Sequence, residues 1–409
     1  MPYHRVQSAT CINGHSQRGL ATKMPATPGV ALPTDGICDL VSSLAWRHRT
    51  AAPRRAPVHH LVLLSAQKWP SSGFRIEPGR LGSWVNTTRL FHMTHIAKTG
   101  GRSVREELLR FARPVGGAEQ CYPPFMHESR VNVIFFREPR GHALSQYLHG
   151  AYQGRFRTRR AAGYPVVKGD DAAGFAQWVS HFARGWTPAR GDFYGYNPLN
   201  HMSRALTCTD ERWNCDYLKE CTTPCAHHVG QRAEDANPPL AEAIAAVHAA
   251  DFVGVLELLP EALCLVEYRK LGRLNPACIC GSAAAEGAAA RAVAHRGRGV
   301  SLAGTARRKL KASTGAKIST ADVAPAVLRE LDEGLLSVDM RVYRAAVLRT
   351  LCDLRALERA SGATLLCDAR MRKLRNKTGY VTGLWDGAGA AVLADEWASA
   401  RLGYPSAST

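Results

Sequence analysis

The chain has 409 residues and a formal net charge of +19. Its length is sufficient for one large domain or two ordinary ones, and its charge favours an anionic ligand: nucleic acid, an acidic polysaccharide or a nucleotide-type donor. No run of about 18 apolar residues occurs, so the sequence predicts no transmembrane helix.

Residues 1–85 are rich in Arg, Ser, Thr, Pro and Ala and contain few acidic residues. Because they lack sustained periodicity, we predict that they are mostly disordered, as a stem, a transit-like leader or wrongly predicted coding sequence. Globular patterning begins after them. It predicts a main domain over residues 86–358, with a flexible basic segment at 283–317, and a weakly patterned C-terminal extension over 359–409.

The stretch 91–103 reads FHMTHIAKTGGRS. The apolar run Phe91–Ile96 predicts a strand, which stops at Lys98–Gly101, and the pattern from Ser103 predicts a helix that Pro114 ends. A strand, a glycine turn with a lysine and a helix together predict an anion cradle, because glycines allow close backbone approach and the helix N-terminus presents unpaired N–H groups. The lysine precedes the glycines, so the turn is not a Walker A motif.

Two further units repeat this order. Val131–Phe136 (VNVIFF) is typical of a strand buried on both faces of a parallel sheet, and a helix follows from Pro139. Phe252–Leu256 predicts another strand, and Pro260–Leu271 predicts the helix after it. Repeated strand–helix units predict a doubly wound α/β core with ligands at the carboxyl ends of the strands.

The rest of the chain is less regular. Val115–Arg130 is predicted to be a connection, Phe175–Phe182 a helix containing Trp178, and residues 191–238 an irregular cysteine-rich region. Ala321–Leu357 has apolar residues at helical spacing and is predicted to be helical.

Twelve cysteines occur, and one central region holds half of them: Cys208, Cys215, Cys221, Cys225, Cys278 and Cys280. The clustering favours disulfides in an oxidising compartment. Zinc is the rival interpretation, since Cys221-x3-Cys225 precedes His227 and His228, although a clean second ligand pair is lacking. The sequons at Asn86 and Asn376 agree with a secretory route.

Taken together, THIAKTGGRS and VIFFREPRGHALSQY resemble the two donor loops of the carbohydrate sulfotransferases that use 3′-phosphoadenosine 5′-phosphosulfate (PAPS), including the uronyl 2-O-sulfotransferases. The departures from the family pattern are Ala97, Arg102 and His142. The matching residues are His95, Ile96, Lys98, Thr99, Gly100, Gly101 and Ser103 in the first loop and Arg137, Pro139, Ser145 and Tyr147 in the second.

The resemblance implies a three-layer α/β/α fold with a mainly parallel sheet, similar to the P-loop nucleotidases. It implies transfer of a sulfuryl group from PAPS to a hydroxyl of an acidic or neutral glycan, with no metal and no nucleic-acid partner. It also implies residence in the Golgi lumen or secretory pathway behind a membrane anchor, which this sequence does not display; a plastid or soluble location is the alternative.

The resemblance also assigns roles to residues. Lys98 would act on the bridging oxygen of the donor, and Arg137 and Ser145 would hold its 3′-phosphate. A basic loop containing Arg307 and Arg308 would close on the adenosine end. The residues that would hold the 5′ groups together with Lys98 are Thr99, Gly100, Gly101, Arg102 and Ser103.

A histidine is the expected general base, because its ordinary pKa suits proton transfer near neutral pH. His127 is the first choice, because it lies between the two donor loops, where the 2-O-sulfotransferases carry a catalytic histidine. The alternatives are His95, His142, His149 and Glu128.

Other interpretations stay open at this point. A phosphotransferase could use the same cradle, and a nucleic-acid or polyanion binder would explain the charge but not the paired loops. Arg137 could form a surface ion pair with Glu138. Aromatic side chains that could stack on sugar rings, or be buried instead, are Trp178, Trp186 and Tyr194.

Overall fold

Four parallel strands form the sheet of the described residues, in the spatial order β2-β1-β3-β4. The computed structural model describes residues 38, 84–85, 89–109, 114–119, 122, 130–152, 171–183, 198–207, 238–282 and 318–385, all within one compact unit. The strands are β1 Leu90–His95, β2 Pro114–Glu119, β3 Arg130–Phe136 and β4 Phe252–Val255.

The helices connect and cover these strands. In chain order they are α1 Gly101–Leu108, α2 Pro139–Tyr152, α3 Ala172–Ala183, α4 His201–Thr207, α5 Leu240–Ala249, α6 Leu259–Leu271, α7 Pro325–Glu330, α8 Ser337–Ser361 and α9 Asp368–Thr378. Short 3₁₀ turns lie at Leu256–Leu258, Pro276–Cys278 and Thr320–Asp322, and a π-helical turn, Leu331–Leu335, separates α7 from α8.

The central strand β3 is covered on both faces. Every residue from Val131 to Phe136 is buried, and successive side chains of a strand point to opposite faces, so neighbouring elements cover both. β4 is buried throughout in the same way. The described residues therefore have an α/β fold with a parallel sheet, as the sequence predicted.

The long helix α8 packs against the sheet at β4. The Thr350 hydroxyl, on this helix, donates to the carbonyl of Ala346 at 2.8 Å and contacts that of Val253, in β4, at 3.3 Å. The side chains of Val342, Ala346 and Leu354 are fully buried in the core. Burial of one long apolar face against a buried strand is what fixes α8, because a helix gains most of its stability from packing.

Two helix N-termini cap each other across 139 residues of sequence. The side-chain carbonyl of Asn200, just before α4, accepts the backbone N–H groups of Val338, at 3.0 Å, and Asp339, at 3.3 Å. In return, the Asp339 carboxylate accepts the N–H groups of Met202 and Ser203 and the Ser203 hydroxyl at 2.6–3.0 Å. These contacts satisfy N–H groups that lack partners within each helix and fix α4 against α8.

Disulfides join three cysteine pairs of the described residues: Cys38–Cys352, Cys264–Cys278 and Cys280–Cys367. Two of the six clustered cysteines take part, and the other four lie outside the described residues. Cys280–Cys367 links the end of the α6 region to the start of α9 with a Cα–Cα distance of 5.6 Å.

Several predicted elements are confirmed within one to three residues, including strands β1, β3 and β4 and helices α2, α3 and α6. The prediction for Val115–Arg130 was wrong, because Pro114 begins β2 at the edge of the described sheet. An edge strand tolerates a proline that lacks an N–H donor. The single helix predicted over Ala321–Leu357 is instead interrupted by the π-helical turn before α8.

The residues after 358 also join the core. The helix α9 and the residues that follow it contribute Leu374, Val381 and Leu384 to the main buried cluster. Among the described residues, no helix combines the length and apolar character needed to cross a membrane.

Candidate functional site

The turn after β1 has the backbone of an anion cradle. Lys98 adopts φ 65° and Gly100 φ 77°, both in the left-handed region, which is uncommon for a side chain other than glycine. The Thr99 hydroxyl donates to the Ile96 carbonyl at 2.8 Å, so it closes the turn from inside. The turn thus holds a lysine in a locally costly conformation, as is common at functional sites.

Two glycines, one at the end of this turn and one at the start of α1, leave no room for a Cβ without movement of a neighbouring side chain. A Cβ on Gly100 would lie 2.8 Å from a methyl group of Leu256, and a Cβ on Gly101 would overlap the ring of His95. Leu256 follows β4 and His95 ends β1. The cradle is therefore packed tightly against the carboxyl ends of two strands.

The N-terminus of α1 lies at the cradle and leaves backbone N–H donors without partners in the helix. In an α-helix the first N–H groups have no partner within the helix, here those of Gly101, Arg102 and Ser103. The N-cap residue is Gly100, which has no side chain to cap them. The side chain of Arg102 lies outside the described residues, and that of Ser103 is half-buried. Backbone donors at a helix N-terminus favour anions.

Arg137 brings the second loop to the first. It directly follows β3, and its guanidinium Nη1 donates to the carbonyl oxygen of Lys98 at 3.3 Å. Burial lowers the pKa of Arg137 from its usual value, while the carboxylates of Glu257 and Glu138 oppose that shift. An arginine remains charged under these conditions, so the site contains a desolvated guanidinium beside the lysine turn.

Glu138 is buried and does not form the surface ion pair that was one interpretation of Arg137. Its carboxylate accepts the Gly141 N–H at 2.8 Å and the hydroxyl of Tyr380, and among the described residues it forms no ion pair with Arg137. Burial raises the pKa of Glu138, and Lys377 and the Tyr380 hydroxyl oppose the shift. The carboxylate therefore fixes the start of α2 to a residue beyond α9.

A second buried carboxylate, Glu257, follows β4. It accepts the ammonium of Lys377 at 2.9 Å and the hydroxyl of Tyr343 at 2.9 Å. Burial, followed by the charges of Glu257 and Glu138, raises the pKa of Tyr343 well above its usual value, so this hydroxyl stays protonated and donates.

His142, on α2, contacts the backbone just before the Lys98 turn. Its Nε2 lies 2.6 Å from the Ala97 carbonyl, and since a carbonyl can only accept, Nε2 carries the proton. Complete burial lowers the pKa of His142 to about 3, and the charges of Arg137 and Lys98 act in the same direction. His142 is therefore a neutral structural residue. Because its ring is buried, an acceptor hydroxyl that enters from solvent cannot reach it as a general base.

The remaining predicted residues divide into three groups. Ser145 is half-buried on α2, whereas Tyr147 and Trp178 are core residues that contact each other, so Trp178 does not offer a sugar-stacking surface. His95 and His149 are half-buried. The residues that lie outside the described residues are His127, Glu128, Arg307, Arg308, Trp186 and Tyr194.

Sequence reasoning missed four residues of this region: Glu257, Tyr343, Lys377 and Tyr380. The one available signal was the position of Glu257 just after a predicted strand, where sites of α/β folds lie. Nothing in the sequence pairs it with Lys377, 120 residues away.

The described residues contain no group of three or more His, Cys, Asp and Glu side chains arranged to hold a metal ion. Comparisons of the chain with protein-family models, with curated proteins and with solved structures found no match.

We expect Gly101→Ala to lower the free energy of unfolding by about 1–3 kcal/mol, because the new methyl group overlaps the His95 ring. Chemical denaturation checks the loss. The double variant Gly101→Ala/His95→Ala should lose less free energy of unfolding than the two single variants lose together, because the smaller side chain at position 95 removes the overlap. A loss in the double variant equal to the sum of the two single losses would contradict the predicted overlap.

Proposed function

We propose that this chain is a sulfotransferase that moves a sulfuryl group from PAPS to a glycan hydroxyl by in-line displacement. The observation that carries the proposal is the contact between the two sequence motifs: the Arg137 guanidinium lies 3.3 Å from the Lys98 carbonyl. Two cationic residues, each following a neighbouring parallel strand, thus face one edge of the sheet.

The site suits a donor with anionic groups at two positions. The α1 N-terminus and Lys98 favour one anion, the 5′-phosphosulfate. Arg137, with the half-buried Ser145 two helical turns along α2, favours a second anion, the 3′-phosphate. In this proposal the sheet and helices form the three-layer, P-loop-like sulfotransferase fold, and Arg307 and Arg308 close on the adenosine end.

The proposed chemistry is positioning and charge stabilisation. The bond from sulfur to the bridging oxygen of the donor breaks as the acceptor oxygen bonds to sulfur, and the acceptor proton passes to a base. Lys98 balances the negative charge that develops on the leaving phosphate. His127 is the proposed base, with Glu128, His95 or His149 as alternatives; no step requires a metal.

The cysteine pairs support an oxidising compartment, because disulfides persist mainly on the secretory route. The side chain of Asn376, in the second sequon, is exposed on α9. We therefore infer residence in the secretory pathway, with the Golgi lumen as the expected location. The proposed acceptor is an acidic or neutral glycan.

Nucleotide binding tests the proposal. We expect the protein to be retained on immobilised adenosine 3′,5′-bisphosphate and to be eluted by the free bisphosphate but not by ATP. Arg137→Ala should weaken binding by about 10- to 100-fold, the effect of losing a charge-assisted hydrogen-bonding group. The matched control is Arg329→Ala, an exposed arginine on α7.

Three results would contradict the proposal. Preferential elution by ATP would favour a phosphotransferase. Elution by nucleic acid alone would favour a polyanion binder. Equal retention of Arg137→Ala and the wild type would show that Arg137 does not bind the second anion of the ligand.

A further inference from the structure

The two carboxylates whose charges act on Arg137 are both bound by the C-terminal segment 377–380. Glu138 accepts the hydroxyl of Tyr380, and Glu257 accepts the ammonium of Lys377 at 2.9 Å. Glu138 is the second residue after β3 and Glu257 the second after β4, so the segment 377–380 reaches the carboxyl ends of both neighbouring strands.

Arg137 itself pairs with neither carboxylate in the described part of the chain; its guanidinium donates to the Lys98 carbonyl. A desolvated guanidinium beside two buried carboxylates would ordinarily form an ion pair, because uncompensated charges away from water are costly. Here Lys377 and Tyr380 satisfy the carboxylates instead.

We propose that Lys377 and Tyr380 are positioning residues: by binding Glu257 and Glu138, they keep the Arg137 guanidinium available to a phosphate. This inference rests on the proposed function, which identifies that phosphate as the 3′-phosphate of the donor. It adds a role for residues beyond the domain boundary that the sequence predicted.

Removal of either partner weakens phosphate binding through the freed carboxylate. Without the Lys377 ammonium, the carboxylate of Glu257 loses its cationic partner. The charge of Glu257 already acts on the Arg137 guanidinium, which then becomes its alternative partner. An Arg137–Glu257 pair competes with the ligand for the same guanidinium, so the phosphate binds less tightly. The Tyr380 hydroxyl likewise binds Glu138, and without it that carboxylate would also compete for Arg137. The hydroxyl stays protonated because burial raises the pKa of Tyr380 well above its usual value.

The position of the segment 377–380 depends on several contacts besides these two. The guanidinium of Arg140 lies 3.7 Å from the centre of the Tyr380 ring, and Arg370 pairs with Glu261 at 3.0 Å. The disulfide Cys280–Cys367 holds the start of α9. Because Tyr380→Phe retains the ring and Lys377→Met retains most of the aliphatic stem, both variants keep these contacts.

The test compares two ligands that differ only in the 3′-phosphate. Calorimetric titration measures the affinities of the full-length protein for adenosine 3′,5′-bisphosphate and for adenosine 5′-monophosphate, and their ratio reports the grip on the 3′-phosphate. We expect Lys377→Met and Tyr380→Phe each to lower that ratio about tenfold, with the affinity for the monophosphate unchanged. Lys373→Met is the matched control, since Lys373 is exposed one turn earlier on α9, and it should retain the wild-type ratio.

The possible outcomes are distinct. If both variants retain the wild-type ratio, the inference is wrong while the proposed function stands. An equal loss of affinity for both nucleotides together with a lower melting temperature would indicate a purely structural role and would also overturn the inference. If the wild type shows no preference for the bisphosphate, the proposed function fails, and the inference fails with it.

Discussion

Lys98→Ala is expected to lower the rate of sulfuryl transfer by about 10²- to 10³-fold, the usual cost of removing one preorganised group that stabilises transition-state charge. Lys98 lies in the left-handed region at the turn after β1, next to the N-terminus of α1. In the proposed reaction its ammonium acts on the bridging oxygen as the bond to sulfur breaks. The measurement is single-turnover transfer from PAPS with saturating donor.

The control for this variant is Arg105→Ala, which removes an exposed positive charge from the same strand–turn–helix unit. It should retain the wild-type rate. If Lys98→Ala transfers at the wild-type rate while it binds the donor normally, Lys98 has no role in the chemical step. A loss of donor affinity alone would make Lys98 a binding residue.

Asp339→Ala is expected to lower the free energy of unfolding by about 3 kcal/mol or more, because it leaves buried donors of Met202 and Ser203 without an acceptor. It also removes half of the reciprocal capping that fixes α4 against α8. Urea denaturation followed by circular dichroism checks this loss. A change below 1 kcal/mol would contradict a structural role for the caps.

The conservative variant Asp339→Asn has nearly the same shape but carries no titratable group, so it isolates the effect of the Asp339 charge on stability. Complete burial raises the pKa of Asp339 from its ordinary value of 3.8 to about 6, against the opposing effect of its hydrogen bonds. The fold therefore favours the protonated carboxyl. The stability that this group contributes is full below pH 3.8 and declines as pH rises through about 6. The stability of the wild type relative to Asp339→Asn should shrink over that interval.

The central strands were predictable because their burial determines their composition. A strand covered on both faces must be continuously apolar, and Val131–Phe136 is. The edge strand β2 gives no such signal: its sequence, PVGGAE, is more typical of a loop. Its place beside β1 is a long-range pairing that local patterns do not encode.

The helix α9 could not be predicted for a related reason. Its sequence, DARMRKLRNKT, has only two large apolar residues, Met371 and Leu374, so its pattern of hydrophobicity is weak. Contacts with distant residues hold it instead, including the disulfide Cys280–Cys367 and the ion pair between Lys377 and Glu257.

The candidate site was predictable where backbone and charge requirements are local. The residues that form the Lys98 turn are consecutive in the sequence, and Arg137 directly follows a strand that its apolar composition identifies. The pairing of Glu257 with Lys377 and of Glu138 with Tyr380 was not predictable, because each joins residues more than 100 positions apart. The sequence alone did not show whether Glu138 is exposed or buried.

The most direct test of the central claim is incubation of the purified protein with PAPS labelled in the sulfuryl group and a panel of acidic and neutral glycans. We expect one equivalent of label to enter a glycan for each adenosine 3′,5′-bisphosphate released, and we expect Lys98→Ala to abolish both. Release of the bisphosphate without labelled glycan, or no transfer to any glycan while ATP phosphorylates one, would contradict the account.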